Sequence, residues 1–292
     1  MNILLLDSPH WKDYELLDTG AGWKLERFGP YRLVRPEAQA MWKRGRPEET
    51  WRDVHAVFRP TGEESGGHWE LKHKLPEKWT LEYNGLRFSV TPTPGRHLGV
   101  FPETAAHWDW YMEQIRAARR PIKVLNLFGY TGIATLAAAK AGAAVTHVDA
   151  SKKSVIWARE NQDLSGLTQR PIRWIVDDAL KFVQREARRG VKYDAIILDP
   201  PKFGRGPKGE VWEVYESLPH LLQACYAVLS QHPLFFSLTM YAVRASAIHL
   251  HQTLDDMLKS FGGVTQAGEL VTREQSQGRL LSHAVYARWS HL

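Results

Sequence analysis

From Ile122 onward the chain alternates short apolar runs with segments of helical period, and this alternation restricts the fold more than any other feature. The apolar runs are 122–127, 143–148, 172–176, 193–198 and 233–238, and the helical segments are about 132–141, 152–164, 178–189, 214–230 and 246–260. Runs this short and this apolar read as strands buried on both faces, which need a helix on each side of a parallel sheet. Strand–helix alternation sustained over five units predicts an α/β sheet with helices on both faces. Runs near 264–271 and 280–289, joined by a polar loop, add two strands for a total of seven. A further helix is expected ahead of the first strand, from about Pro102 to Arg119, with Pro102 at its start and Pro121 just past its end.

Residues 1–95 have a different texture. Tyr31-Arg32-Leu33-Val34, Trp79–Tyr83 and Leu86–Val90 are short alternating runs, the last two separated by Asn84-Gly85, a strong tight-turn signal. Thr61–Gly67 reads as a polar flexible loop. The segment Thr91-Pro92-Thr93-Pro94-Gly95 marks a boundary, so the expected division is a small β-rich module at 1–95 and an α/β domain at 96–292. Six of the twelve tryptophans fall in the small module, where a core role outweighs a base-stacking role.

Charge is distributed unevenly between these parts. The net charge is +6, yet residues 1–95 hold 14 Lys and Arg against 14 Asp and Glu, so the whole excess lies in 96–292. A basic surface there suits a nucleic-acid partner, although a mild excess also serves solubility. One cysteine, Cys225, excludes an intrachain disulfide and any multi-cysteine metal site. The histidines show no metal-ligand spacing, so no metal is assigned. No apolar run approaches the ~20 residues of a membrane-spanning helix, and Asp7-Ser8-Pro9 cuts short the apolar start at Met1–Leu6. A cytoplasmic protein is expected.

The strand ends carry the chemistry, as expected for an open α/β sheet. After the first strand, Asn126-Leu127-Phe128-Gly129-Tyr130-Thr131-Gly132 places two glycines in a tight loop. It lacks the Gly-x-Gly-x-x-Gly dinucleotide pattern. Asp149, followed by Ala150 and Ser151, ends the second strand where a carboxylate can accept from ribose hydroxyls. Asp177-Asp178-Ala179 ends the third, and there helix capping and binding of an adenine amino group are both open. The fourth ends in Asp199-Pro200-Pro201-Lys202-Phe203. Two prolines remove two amide donors and fix both φ angles, leaving an acceptor carboxylate, free carbonyls and an aromatic face suited to a planar amine or base edge. Gly204–Gly209 reads as a mobile basic segment in which Arg205 and Lys208, with Lys202, offer three positive charges to an anionic backbone.

These motifs, in this order, resemble those of class I S-adenosylmethionine-dependent methyltransferases. The nearest likeness is to large-subunit ribosomal RNA methyltransferases of the RlmI and RlmK kind. Ala158-Arg159-Glu160-Asn161 and Arg96-His97-Leu98-Gly99-Val100-Phe101 belong to the same resemblance. It implies a Rossmann-like seven-stranded sheet and S-adenosyl-L-methionine as cofactor. Asn126, Phe128, Gly129, Tyr130, Thr131 and Gly132 would surround the methionine moiety, and Asp149, Ala150 and Ser151 the ribose. Asp178 and Ala179 would face the adenine, Phe101, Asn161, Asp177 and Asp199 would complete the cofactor site, and Asp199, Pro200, Pro201 and Phe203 would form the reaction centre. The implied substrate is RNA, and the implied process rRNA methylation.

Two departures narrow this expectation. Residues 1–95 do not look like the family's usual RNA-binding domain. Family members that methylate carbon 5 of cytosine carry a cysteine nucleophile just after the fifth strand, where this chain reads Phe235-Phe236-Ser237-Leu238-Thr239-Met240. Covalent attack on a pyrimidine requires a strong nucleophile, and Cys225 lies in an apolar helical stretch. Methylation of a base nitrogen is therefore the expected chemistry. A protein or small-molecule acceptor, and a non-catalytic nucleic-acid-binding protein, stay open as alternatives, as does the oligomeric state.

Overall fold

The computed structural model describes residues 2–8, 11–61 and 66–291. Residues 62–65 of the expected Thr61–Gly67 loop lie outside them. Contacts divide the chain into two compact units: Asp7–Ala105 with Val271–Ser282, and Met1–Leu6 with Ala106–Leu270 and His283–Leu292. The sequence boundary after Gly95 thus falls ten residues before the contact boundary, and it could not anticipate the return of 271–282.

In chain order the strands and helices begin with β1 (Ile3–Asp7), β2 (Tyr14–Gly20), β3 (Trp23–Phe28) and β4 (Tyr31–Pro36). A five-residue helix α1 (Glu48–Arg52) precedes β5 (Ala56–Pro60), β6 (Gly67–Leu71), β7 (Trp79–Tyr83) and β8 (Leu86–Val90). Strands β2 to β6 form a five-stranded sheet in sequence order, and β7 and β8 a separate hairpin. Asn84 and Gly85 both have positive φ, 47° and 72°, the requirement of the type I′ turn that the sequence signalled.

The tryptophans of this unit serve its core. Trp11 and Trp51 are buried, and each of Trp11, Trp42, Trp51, Trp69 and Trp79 donates its indole N–H to a group within the unit. One carboxylate organises the return of the chain. Asp18 is fully buried and accepts from the amides of Gly45 and Arg46, from Trp51 Nε1 and from Ser276 Oγ at 2.6 Å. Burial alone would raise its pKa, but the hydrogen bonds outweigh that and hold it below the usual carboxylate range. Thr19 donates to Glu274 beside it.

The second unit contains α2 (Ala105–Ala117), entered through a 3₁₀ turn at Pro102–Thr104, and then the alternation read from the sequence. The elements are β9 (Lys123–Leu127), α3 (Ile133–Lys140), β10 (Ala144–Asp149), α4 (Lys152–Leu164), β11 (Ile172–Val176), α5 (Ala179–Arg188) and β12 (Ala195–Leu198). A two-stranded hairpin follows, β13 (Phe203–Arg205) and β14 (Val211–Glu213), then α6 (Val214–Ala227), β15 (Phe235–Tyr241), α7 (Ala247–Leu258), β16 (Val264–Arg273) and β17 (Leu280–Ser290).

The sheet order is β1-β16-β17-β15-β12-β9-β10-β11. The pairs from β15 through β12, β9 and β10 to β11 are parallel, and β17 runs antiparallel to β15. The seven expected strands are all present, and β1 makes an eighth beside β16. A five-residue run assigned to the small module carries no local sign of a partner some 260 residues away, which is why the sequence reading misplaced it. One face of the sheet packs against α5, α6 and α7 through Ile196, Leu198, Phe236 and Leu238, together with Cys225, which is fully buried. On the other face α3 presents Ala137, Ala138 and Ala139, all buried, small enough for close approach to the strands.

Candidate active site

The carboxyl ends of β9, β10, β11 and β12 bring the four predicted loops side by side. The first is held in an unusual backbone conformation. Phe128 and Tyr130 have φ of 57° and 48°, and Gly132 has φ of 83°. Left-handed backbone in a non-glycine residue costs about 1–2 kcal/mol, so two in three residues require outside support. Asp149 supplies it: one carboxylate oxygen accepts the Tyr130 amide at 2.8 Å and the other the Ser151 amide at 2.8 Å. Burial raises the Asp149 pKa, partly offset by those two amides. Asn161, fully buried, donates to the Thr131 carbonyl at 3.0 Å.

Beneath the loop lies a polar network that the sequence reading did not foresee. Asn126 Nδ2 donates to Thr135 Oγ1 at 2.8 Å, and Thr135 Oγ1 meets His147 Nδ1 at 2.9 Å. Asn126 and His147 are register partners on β9 and β10, so their side chains share one face. Burial pushes the His147 pKa down to about 3, keeping the imidazole neutral. Gly129 sits directly over this ring, and a Cβ there would stand 2.4 Å from two of its atoms. Glycine is needed at 129 to let backbone pass over His147.

The predicted residues therefore divide by role. Phe128, Tyr130, Asp149 and Ala150 are half-buried around the first two loops, and Ser151 caps α4 by accepting the Ser154 amide at 3.2 Å. Asn126, Thr131 and Asn161 are buried. The amides of Asn126 and Asn161 point at internal partners, so these two shape the loop from below. At the third loop the capping alternative is realised: Asp178 caps α5 by accepting the Lys181 amide at 2.9 Å. Asp177 accepts the Asp178 amide at 2.9 Å and pairs with Arg185, and Ala179 is buried. Phe101 belongs to the other compact unit, where its ring packs on His97 at 4.8 Å.

At the fourth loop, Asp199 is half-buried, Pro200 buried and Pro201 exposed. Phe203 is 57% exposed, with Lys202 Nζ 5.1 Å from its ring centroid. The segment that follows is an ordered hairpin, not the mobile loop expected from its glycines. Phe203 pairs with Glu213 and Arg205 with Val211, which places Phe203 and Arg205 on the outer face, while Trp212 turns inward. Trp212 packs on Phe128 at 4.8 Å and donates Nε1 to the Pro201 carbonyl at 2.7 Å. This indole joins the first loop to the fourth. Its only sequence signal is a large aromatic in a glycine-rich polar stretch.

At the tip, Glu210 accepts the Lys208 amide and pairs with Lys181 at 2.7 Å, so the exposed Lys208 and Arg205 stand beside an anion that the basic-loop reading overlooked. Behind Asp199, buried Tyr111 donates to Ser237 Oγ at 2.9 Å, and its pKa is raised by burial and by the Asp199 charge. Ser237 and Thr239, at the positions where a cysteine nucleophile would stand, are both buried.

The arrangement fits a nucleoside-bearing cofactor. A half-buried carboxylate at the end of β10 keeps acceptor capacity beyond its two amide bonds, as ribose hydroxyls require, next to a strained loop propped from below. A family model described as S-adenosylmethionine-dependent methyltransferase matches residues 55–231. This chain belongs to that family.

Further comparisons agree. The chain is 32% identical over 163 residues to ribosomal RNA large subunit methyltransferase I of Aeromonas salmonicida, covering 56% of this chain and 37% of that protein. It is 31% identical to ribosomal RNA large subunit methyltransferase K/L of a Shewanella species, covering 54% of this chain and 22% of that one. The chain thus matches well under half the length of these curated relatives. A crystal structure of a SAM-dependent methyltransferase from Agrobacterium tumefaciens superposes with a TM-score of 0.95 at 48% identity, over 100% of this chain and 95% of that one. A methyltransferase structure from Streptococcus mutans shares the fold at 17% identity and TM-score 0.72, over 95% of this chain and 75% of that one. The methyltransferase uses S-adenosyl-L-methionine. Among the described residues no cluster of His, Cys, Asp or Glu is placed to hold a metal, and no helix is long and apolar enough to cross a membrane.

Proposed function

We propose that this methyltransferase modifies a nitrogen of an RNA base, with ribosomal RNA as the substrate class. The observation that carries the reading is the Asp199–Phe203 loop: a rigid double proline between an acceptor carboxylate and an exposed aromatic face. The cofactor supplies an electrophilic methyl group on a sulfonium. Asp199 accepts a hydrogen bond from the N–H of the acceptor and orients its lone pair. Pro200 and Pro201 offer no amide donors to compete, and Trp212 holds the Pro201 carbonyl in place. Phe203 provides a stacking face beside the Lys202 cation. Transfer at a sulfonium is an in-line displacement, for which alignment supplies much of the rate.

Nitrogen is favoured over carbon 5 because covalent pyrimidine chemistry needs an accessible thiolate. Ser237 and Thr239 are buried, and Cys225 is fully buried with its pKa raised by burial. Phe128, Gly129, Tyr130 and Asp149 are proposed to hold the methionine and ribose of the cofactor, and Lys202, Arg205 and Lys208 to meet the RNA backbone. The experiment is transfer of labelled methyl from S-adenosylmethionine into a cell extract, followed by nucleoside mapping. Label in RNA as an N-methylated base, lost in Asp199→Ala, is the expected result. Label in protein or small molecules only would reject the RNA reading.

A further inference from the structure

The positive charge of the catalytic unit is concentrated. Residues 170–192 contain seven Lys and Arg against three carboxylates, although the whole chain carries only +6. They comprise β11, the edge strand of the large sheet, and α5, packed beside it. Three of the arginines are held in place. Arg173 and Arg189 both pair with buried Glu186, at 3.1 and 3.3 Å, and Arg185 pairs with Asp177. The guanidinium carbons of Arg173 and Arg185 stand 5.5 and 5.9 Å from the ring centroid of buried Phe182. Arg170 and Arg188 are exposed.

All three carboxylates of the segment are engaged, two with arginines and Asp178 with the α5 cap, so the surplus cations face outward. Lys181 reaches Glu210 on the β13–β14 hairpin, which connects this row to Lys202 and Arg205 beside the Asp199 loop. Positions 181, 185, 188 and 189 follow the helical repeat and extend about 12 Å along α5 at 1.5 Å per residue. Strand β11 lies three strand spacings, about 14 Å, across the sheet from β12.

We propose that this row is a track for the RNA backbone, continuing from the hairpin along α5 and the β11 edge. The proposal rests on the RNA reading given above and extends it to a surface outside the reaction centre. The exposed guanidiniums of Arg170 and Arg188 can each meet a phosphate in bidentate fashion. A strand whose target base enters at Asp199 would lay its flanking phosphates on the hairpin and then on α5. Such contacts position the strand without reading its sequence.

The test is binding of a fluorescein-labelled, mixed-sequence 20-nucleotide RNA, followed by anisotropy over a salt series. Wild type is compared with Arg170→Glu/Arg188→Glu and with a charge-matched control, Arg116→Glu/Lys259→Glu, whose sites are exposed elsewhere on the unit. The track variant is expected to bind more weakly, with its log K against log salt slope reduced by about 1.4, or 0.7 for each lost phosphate contact on a single strand. Binding of S-adenosylhomocysteine, read by calorimetry, should be equal in all three proteins, which confirms folding. Loss in the control equal to loss in the track variant would overturn the proposal, as would wild-type binding by the track variant. In either case continued methyl transfer to RNA leaves the substrate reading standing. If wild type binds no RNA and labels only protein, the RNA reading fails and the track fails with it, the surface then being one for an acidic protein.

Discussion

The contact between Gly129 and His147 yields a quantitative prediction about how the cofactor loop keeps its shape. A Cβ at position 129 would stand 2.4 Å from His147 Cε1 and Nδ1 and 3.1 Å from Nε2. Favourable carbon contacts lie near 3.5–4.0 Å, so the overlap exceeds 1 Å. The ring cannot retreat, since it is fully buried and held by Thr135. Gly129→Ala should therefore destabilise by about 1–3 kcal/mol, as overpacked cores do, and should weaken S-adenosylhomocysteine binding by displacing Tyr130 from Asp149. His147→Ala alone should cost about 2–4 kcal/mol through the cavity it leaves. The three atoms nearest to the new methyl are then gone. The double variant should be no less stable than His147→Ala, a coupling of about 1–3 kcal/mol in a double-mutant cycle, and should recover part of the lost ligand affinity. Urea unfolding gives the stabilities and calorimetry the affinities. Additive losses in the double variant would refute the idea that the ring sets the height of the loop.

Four further outcomes follow from the same structure. His107 and His147 are buried with pKa values pushed down by burial to about 3. The catalytic unit, when unfolded, therefore binds two more protons at these positions below pH 6.5, and the stability they confer is full above that pH and falls as pH drops toward 3. Urea melts of the catalytic unit should show a loss of roughly 3 kcal/mol between pH 7.5 and 5.5; a flat profile would refute it. Cys225→Ala should retain methyl transfer, measured with labelled cofactor, whereas abolition in a folded protein would restore covalent chemistry. Trp212→Ala removes the link between Phe128 and the Pro201 carbonyl, and kcat should fall roughly 10- to 100-fold through misalignment, with circular dichroism unchanged. Asp18→Ala strands several buried donors and should cost about 3–5 kcal/mol in thermal or urea unfolding.

The sequence disclosed most where structure is locally specified. Every strand and helix expected between 122 and 260 is found within about three residues of its bounds, because buried strands and capped helices announce themselves through apolar runs and residues such as Ser151 and Asp178. The loops that end those strands were legible for the same reason. What escaped depends on distant partners. The hairpin after Phe203 reads as mobile from Gly204, Gly206 and Gly209, yet Trp212 and Glu210 order it by reaching Phe128 and Lys181. Asn126 and Asn161 carry the residue type of ligand contacts, but their amides turn inward to Thr135 and Thr131. Their burial follows from the face of the strand and helix they occupy, which the motif alone does not specify.

The clasp that Glu274 and Ser276 make with Thr19 and Asp18 has a consequence for synthesis. A ribosome delivers Asp18 more than 250 residues before Ser276, so the emerging chain holds a buried-carboxylate site with one of its donors still unmade. The five-stranded unit cannot reach its final hydrogen-bond complement during translation of its own first hundred residues. Its completion must await the late hairpin, which makes the catalytic segment an insertion that has to be synthesised before the first unit closes.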